Sequence, residues 1–297
     1  PETNMIGIRR EDKNRWERRV PLTPENVSVL VSGQHLEVRV QPSPIRVFPD
    51  SAYVDAGATL AEDLSGCRLI FGVKEVPPAL LVPGAAYVFF AHVAKGQEHN
   101  MPMLGRLLEL GCSLVDYEKI VDDRGRRLIF FGLQAGHSGM IDTLWALGRR
   151  LEAEGMRPNP FANLRPAWRY ATLAEAQTAV SEAGEAIRRE GLPGPLVPFV
   201  CGFTGYGNTY RGAAEVFDLL PAHEIQPDEL ASLAADPAPR RDRVHKVVFR
   251  EEHTVAPVSR WDRFELQDYY LHPEKYRPVF ERHLPHLALL VNCVYWE

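Results

Sequence analysis

Cysteine is scarce in this chain, and the few present do not pair. Four cysteines occur in 297 residues, at Cys67, Cys112, Cys201 and Cys293. That spacing suits neither a zinc site nor a redox dithiol. Three of them lie in or beside apolar runs, so buried free thiols are expected. Long apolar stretches are also lacking: no run approaches the roughly 18 residues that a membrane-spanning helix needs. Excess charge of one sign is missing as well. A formal net charge of −5 supplies no electrostatic reason to expect nucleic acid or an anionic membrane as partner. The chain opens on Pro1-Glu2-Thr3-Asn4 and soon becomes charged at Arg9-Arg10-Glu11-Asp12, which does not resemble a secretory leader. A cytoplasmic protein is the expectation. There is no internal repeat and no low-complexity tract.

What remains is the composition of an ordinary globular protein. Hydrophobic residues make up 45%, enough for a sizeable core, and charged residues 25%. The length suits about two domains.

In the first half, strand and helix signals alternate. Residues 5–8 form a short apolar run. Thr23-Pro24-Glu25 has the form of a helix start, Thr as N-cap and Pro at the first helical position, with an expected end at Gly33. Residues 36–40 alternate with period two, as in a strand with one wetter face. Residues 67–73 and 87–91 are near-continuous apolar runs, which suit a parallel sheet covered on both faces. Residues 104–110 read as helix, and 113–115 and 128–131 as two further strands. A long helix is expected at about 140–154, followed by Arg157-Pro158-Asn159-Pro160 as a candidate hinge. Thr172-Leu173-Ala174-Glu175 has the form of a capping box, and residues 196–200 read as the next strand. Residues 234–243, rich in Pro and charge, read as an exposed excursion. The predicted fold class is α/β: two Rossmann-like domains with open, mostly parallel sheets and an interdomain cleft. The expected domains are residues 1–135 for substrate and catalysis and 136–297 for a dinucleotide. Residues 287–296 are a strong strand signal at which the sequence stops. Either the chain is a fragment or its second domain is completed unusually.

Two groups of residues could carry chemistry. The first is Gly202-Phe203-Thr204-Gly205-Tyr206-Gly207-Asn208, between a predicted strand and a helix expected from Tyr210 or Arg211. In that context glycines let a pyrophosphate approach the backbone at a helix N-terminus. The strict Gly-x-Gly-x-x-Gly spacing fails, because the third glycine would fall at Tyr210 and Gly212 comes two residues later. A plain glycine-rich turn is the competing reading. The acidic ribose ligand expected about 20 residues on is replaced by Gln226, after His223-Glu224-Ile225. The cofactor is therefore read as NADP or NAD, with NADP slightly favoured. The second group lies at strand ends: Lys74, His92 and Glu118 each follow a predicted strand. A lone Lys or His there is usually solvated surface, but ligands of open parallel sheets bind outside the carboxyl ends of strands. Arg19, before Pro21-Leu22-Thr23-Pro24, could hold a carboxylate by a two-pronged contact. Arg126 and Arg127 could do likewise, against the alternative of a solvated charge cluster.

These strings carry a resemblance. Arg10-Glu11-Asp12 with Trp16-Glu17-Arg18-Arg19-Val20-Pro21-Leu22-Thr23-Pro24 is similar to the N-terminal signature of the lysine–2-oxoglutarate reductase half of eukaryotic bifunctional lysine-degrading enzymes, within the saccharopine dehydrogenase family. Gly72-Val73-Lys74-Glu75, Phe89-Phe90-Ala91-His92 with Lys95 and Gln97, Asp116-Tyr117-Glu118, Gly125-Arg126-Arg127, Phe131-Gly132 and Ala135-Gly136 extend it. So do residues 203–208 and Val291-Asn292-Cys293-Val294-Tyr295-Trp296, so that the match runs in order over nearly the whole chain. Alanine dehydrogenases and the nucleotide-binding subunit of transhydrogenase resemble it more distantly.

The resemblance implies an oxidoreductase acting on a CH–NH bond, condensing lysine with 2-oxoglutarate and reducing the imine, or running the reverse. It implies Lys74 and His92 as acid–base pair with Glu118 as electrostatic modulator, and Arg19, Lys95, Arg126 and Arg127 toward the substrates. It also implies Gly202, Thr204, Gly205, Gly207, Asn208, Gln226 and Asn292 toward the cofactor. No metal is expected. The partners are an amino acid and a 2-oxo acid, and fusion or association with a second dehydrogenase domain is left open. His137, where relatives carry an apolar residue, reads as an incidental surface histidine. The competing functions are an alanine-dehydrogenase-like enzyme and a catalytically silent fragment or regulatory domain of the same fold.

Overall fold

A computed structural model describes residues 5–294. The chain divides into two compact units, Pro1–Phe130 and Phe131–Glu297, each of which has its own sheet and core.

The first unit contains β1 (Met5–Ile8), α1 (Pro24–Gln34), β2 (Glu37–Val40), α2 (Asp50–Asp55), β3 (Thr59–Leu60), β4 (Leu69–Phe71), β5 (Ala86–Phe89), α3 (Met101–Glu109) and β6 (Ser113–Asp116). Its six strands are all parallel, in the order β3-β2-β1-β4-β5-β6. This is the strand order of a doubly wound nucleotide-binding fold, with its switch point between β1 and β4. The apolar runs become central strands because both faces are covered. Ile6, Ile8, Val38 and Val40 pack with Val27 of α1 and Tyr53 of α2. Ile70, Tyr87 and Phe89 pack with Met103 and Leu107 of α3. Thr23 caps α1 reciprocally with Asn26: its Oγ1 accepts from Asn26 N at 3.3 Å, and its own N–H donates to Asn26 Oδ1 at 3.0 Å. The helix runs one residue past Gly33, to Gln34, and is closed by His35, which takes the left-handed conformation at φ 53°. The strand expected at 128–131 does not form. Leu128, Phe130 and Phe131 are exposed, and one antiparallel bridge, Val121 to Arg127, is made there instead.

The second unit contains α4 (Gly132–Ala153), α5 (Leu173–Glu190), β7 (Val200–Thr204), α6 (Asn208–Phe217), β8 (Ala222–Ile225), α7 (Leu230–Ala234), β9 (Val244–Phe249), α8 (Glu251–Thr254), β10 (Val255–Pro257), α9 (Leu266–Leu271), β11 (Tyr276–Pro278) and β12 (Leu289–Asn292). Four parallel strands run β12-β7-β9-β8, beside a small antiparallel pair of β10 and β11. β7 starts four residues later than the periodicity predicts, because Pro198 has no N–H for a ladder and residues 194–196 form a tight turn.

α4 begins eight residues earlier than expected, and the cause is its packing on α6. A Cβ at Gly136 would lie 2.1 Å from Thr209 O, and one at Gly212 would lie 2.0 Å from Leu133 O. Only glycine permits that backbone approach. His137 belongs to the same contact: it is 9% exposed, and its Nε2 lies 2.6 Å from Glu215 Oε2. It is thus a buried, paired residue and not an incidental surface one. The 157–160 segment lies inside this unit, away from the division at Phe130. Asn159 Nδ2 donates to Gly148 O at 2.9 Å, and Phe161 is fully buried in the core. Residues 234–243 are largely exposed, as expected.

Candidate active site

In the first unit the chemistry gathers at the carboxyl ends of four adjacent strands. β1 delivers Arg9 to Asp12, β4 delivers Lys74 and Glu75, β5 delivers His92, and β6 delivers Glu118. Neighbouring strands stand about 4.8 Å apart, so Lys74, His92 and Glu118 follow three successive rungs of one sheet edge.

The switch point is bridged by Glu11. Its carboxylate accepts from Val73 N at 2.8 Å and Lys74 N at 3.0 Å, which fixes the backbone that carries Lys74. Glu11 is only 6% exposed, as is its neighbour Arg9 at 5%. Burial pushes the Glu11 carboxyl above its ordinary range, against the two N–H donors and the Arg9 charge that favour ionisation. Arg9 crosses Gly72, where a Cβ would stand 3.1 Å from Arg9 Cδ, and it binds Asp12 at 2.8 Å.

Arg19 and Glu17 form a fork, Nε to Oε1 at 2.7 Å and Nη2 to Oε2 at 2.6 Å. Burial pushes the Glu17 carboxyl up, but the Arg19 fork, helped by the charge of Lys74, outweighs it and holds the group below its ordinary range. The Arg19 guanidinium therefore already shares its charge with Glu17. It would meet a substrate carboxylate as part of that pair.

His92 is held in the left-handed region at φ 51°. Such a conformation costs about 1–3 kcal/mol for a non-glycine residue and survives only where the surroundings impose it. Here the buried Asn100 donates from Nδ2 to Ala91 O at 3.1 Å and His92 O at 3.3 Å. The ring stacks on Phe90, which packs in turn on buried Tyr117. His92 Nδ1 lies 3.4 Å from Glu75 Oε1, and Lys13 Nζ lies 2.7 Å from Glu75 Oε2. Burial pushes the Glu75 carboxyl up, but Lys13 and His92 outweigh it, so Glu75 also stays below its ordinary range. The result is an ionised carboxylate beside the imidazole, suited to orienting the ring and balancing its charge.

Glu118 faces Arg127 at 3.5 Å. Arg126 is engaged by Asp122 at 2.7 Å within the adjoining turn, and Lys95 stands exposed in the turn closed by Gly96. The structure thus groups Lys74, His92, Glu118, Arg19 and Arg127 with carboxylates that were only part of quoted strings: Glu11, Glu17 and Glu75. Their signal was adjacency to Lys74 and Arg19. Asn100 had no signal, because its role is to bond the carbonyl of a strained turn.

In the second unit β7 ends at Thr204, Gly205 adopts φ 83°, and Gly207 precedes the ten-residue helix α6. No side chain caps that helix, and the space around Gly207 is open. Free first-turn N–H groups beside an open glycine fit an anion such as a pyrophosphate. Gly202 lies inside β7 against Leu287 and Phe249. Asn208 opens α6 and accepts from Arg211 at 3.3 Å. Thr204 Oγ1 donates to Asn292 Oδ1 at 2.8 Å, joining the ends of β7 and β12. Gln226 follows β8 at the far edge of the sheet, with β9 between that strand and β7. Tyr295 and Trp296 lie outside the described residues. Among those described, no cluster of His, Cys, Asp and Glu could hold a metal ion, and the four cysteines are free.

Comparison with known proteins gives the chain's relatives. Residues 7–138 match the family described as alanine dehydrogenase/PNT, N-terminal domain. The chain is 39% identical to alpha-aminoadipic semialdehyde synthase of Arabidopsis thaliana over 99% of its own length and 29% of that protein. It is 37% identical to the mitochondrial alpha-aminoadipic semialdehyde synthase of Bos taurus, over 99% of this chain and 31% of that one. Saccharopine dehydrogenase [NAD(+), L-lysine-forming] of Neurospora crassa is 32% identical over 68% of this chain and 54% of its own length. The chain thus spans just under a third of the synthases it matches. A transhydrogenase structure from Sinorhizobium meliloti shares the fold at TM-score 0.50 and 15% identity, covering 77% of this chain and 62% of that one. On these grounds the chain belongs to the saccharopine dehydrogenase and alpha-aminoadipic semialdehyde synthase family, with an alanine dehydrogenase/PNT N-terminal domain at its start.

Proposed function

We propose that this chain is an oxidoreductase that condenses the side-chain amine of L-lysine with 2-oxoglutarate and reduces the product to saccharopine, or runs the reverse. The observation that carries the reading is the pair Lys74 and His92 at adjacent strand ends, each fixed by a buried partner, in a chain related over 99% of its length to alpha-aminoadipic semialdehyde synthases.

The chemistry requires protons at defined atoms. Amine addition to the oxo carbon gives a carbinolamine, and loss of water from it needs a proton delivered to oxygen. The reverse needs a base to deprotonate water or the secondary amine. Lys74 and His92 exchange those protons, with Glu75 balancing charge on the imidazole and Glu118 modulating the field from the next strand. Arg19, Lys95, Arg126 and Arg127 supply positive charge toward substrate carboxylates. A nicotinamide cofactor, when bound, supplies or accepts the hydride at the C–N bond. Gly205, Gly207 and the N-terminus of α6 would hold its pyrophosphate, with Thr204, Asn208 and Asn292 around that loop, while Gly202 lies within β7 and Gln226 two strands away. NADP is favoured over NAD. Because the chain spans under a third of its synthase relatives, a second dehydrogenase domain, fused or associated, belongs to the proposal. So does a cytoplasmic location, which cell fractionation tests directly, since the Bos taurus relative is named mitochondrial.

The test follows consumption of reduced nicotinamide cofactor with 2-oxoglutarate and, in turn, lysine, ornithine and ammonia. Oxidation dependent on lysine is expected. Oxidation with ammonia alone would transfer the chain to the alanine dehydrogenase type, and silence with every amine would mark it as catalytically silent. Lys74→Met should lower turnover about 100-fold or more with cofactor binding unchanged. Loss of cofactor binding in that variant would remove Lys74 from the proton-transfer role.

A further inference from the structure

The strand order of the second unit changes which residue can read the adenosine end of a dinucleotide. In a nucleotide-binding half, the strand beside the glycine-loop strand ends on the ribose-reading residue. That neighbour is the second strand of a doubly wound half, and the equivalent here by sequence, β8, stands two places from β7, about 10 Å away at ordinary strand spacing. β7 stands between β12 and β9, and the neighbour on the side of β8 is β9. Thr204 pairs with Phe249, and Gly205 N donates to Phe249 O at 3.2 Å. The residue that leaves this ladder next to the glycine loop is Arg250.

Arg250 is an exposed guanidinium lying 4.9 Å from the ring centroid of Tyr206, the residue between the two loop glycines. Both line a pocket of about 250 Å³ that also contains Glu224, Gln226, Glu252 and His253. A larger pocket, of about 640 Å³, shares Gln226 and His253 with it and adds Asp228, Arg282, His283 and His286. The carboxylates of this pocket and of the Tyr206 contact are engaged elsewhere. Glu224 lies 3.3 Å from Lys246 and Glu252 lies 3.7 Å from His253, while Glu251 accepts from Tyr270 at 2.8 Å and Tyr206 at 3.3 Å. Arg250 has no carboxylate within 4.0 Å among the described residues. A planar cation on an aromatic face, beside an anion-suited loop, is matched to a phosphate monoester on a ribose and poorly matched to a bare ribose diol, which calls for a carboxylate.

We infer that Arg250 is the specificity-determining residue of the cofactor site and selects a 2′-phosphorylated adenosine, with Gln226 bypassed. This rests on the nicotinamide-cofactor reading above. The test is isothermal titration calorimetry of the whole chain with adenosine 2′,5′-bisphosphate and with 5′-ADP. The bisphosphate should bind about 10-fold or more tighter, and the preference should shrink as salt rises. Arg250→Ala should abolish the preference while 5′-ADP affinity stays within about two-fold, and Gln226→Ala should leave both affinities in place. Far-UV circular dichroism of each variant checks that it is folded. Equal affinities in the unmodified chain would overturn the inference together with the preference for NADP, and a preference that survives Arg250→Ala would overturn the inference alone; either result leaves the nicotinamide-cofactor reading standing. Binding of neither nucleotide would overturn both.

Discussion

Glu17 and Glu75 both keep their ionised form more readily than an exposed carboxyl, although burial works against them. The sign of the stability effect follows. A folded-state pKa below the unfolded value means that these groups stabilise the fold at neutral pH. That contribution is lost as pH falls below the ordinary value of 4.5 and through the depressed folded values. Glu11 is displaced upward and acts oppositely, its contribution fading as pH rises through its own folded value. Urea midpoints measured from neutral pH down to the acid limb should therefore fall less steeply for Glu17→Gln than for the unmodified chain. An identical acid limb in the two proteins would show that the Arg19 fork contributes nothing to folding. At this scale the sequence was partly legible. Lys74 and His92 were identifiable because each follows a buried apolar run, and a parallel strand exposes ligand-facing residues just past its carboxyl end. Glu11 was not assignable, because its partners Val73 and Lys74 lie more than 60 residues away. His137 was misjudged, because burial beneath α6 depends on a helix crossing that a residue's immediate neighbours do not encode.

The crossing of α4 and α6 is the clearest case of an element shaped by single residues. Gly212 does not fit the spacing of a dinucleotide fingerprint, yet it provides the close backbone approach, here helix to helix, that a third glycine usually provides between helix and strand. Gly136→Ala should force the two helices apart and lower stability by about 2–4 kcal/mol. Gly139→Ala lies one turn along α4 with nothing within 4 Å of the new Cβ, and should raise it by about 0.5–1 kcal/mol. The pair of urea midpoints checks both signs together, and equal midpoints for the two variants would refute the packing argument. Capping chemistry was readable in advance at Thr23 and Thr172, where local hydrogen bonds decide the helix start. The start of α4 was not, because residues 132–139 become helical through their contact with α6.

On the scale of the whole molecule, each unit carries its own buried core. Tyr53, Tyr87 and Phe89 are among the fully buried side chains of the first unit, and Phe161, Phe199, Phe203 and Phe217 among those of the second. Expressed separately as 1–130 and 131–297, both should unfold cooperatively in urea. A sloping, non-cooperative transition in either would mean that its core is incomplete alone. Two α/β units, parallel sheets, the glycine loop and the strand-end trio were all determined by the sequence itself, because hydrophobic period, capping residues and glycine placement act over a few neighbouring residues. The order of strands, the Glu11 bridge across the switch point and the position of Arg250 beside Gly205 were decided only in the tertiary structure. Which strand lies next to which depends on burial and ladder pairing between segments tens of residues apart, and no local pattern records that choice.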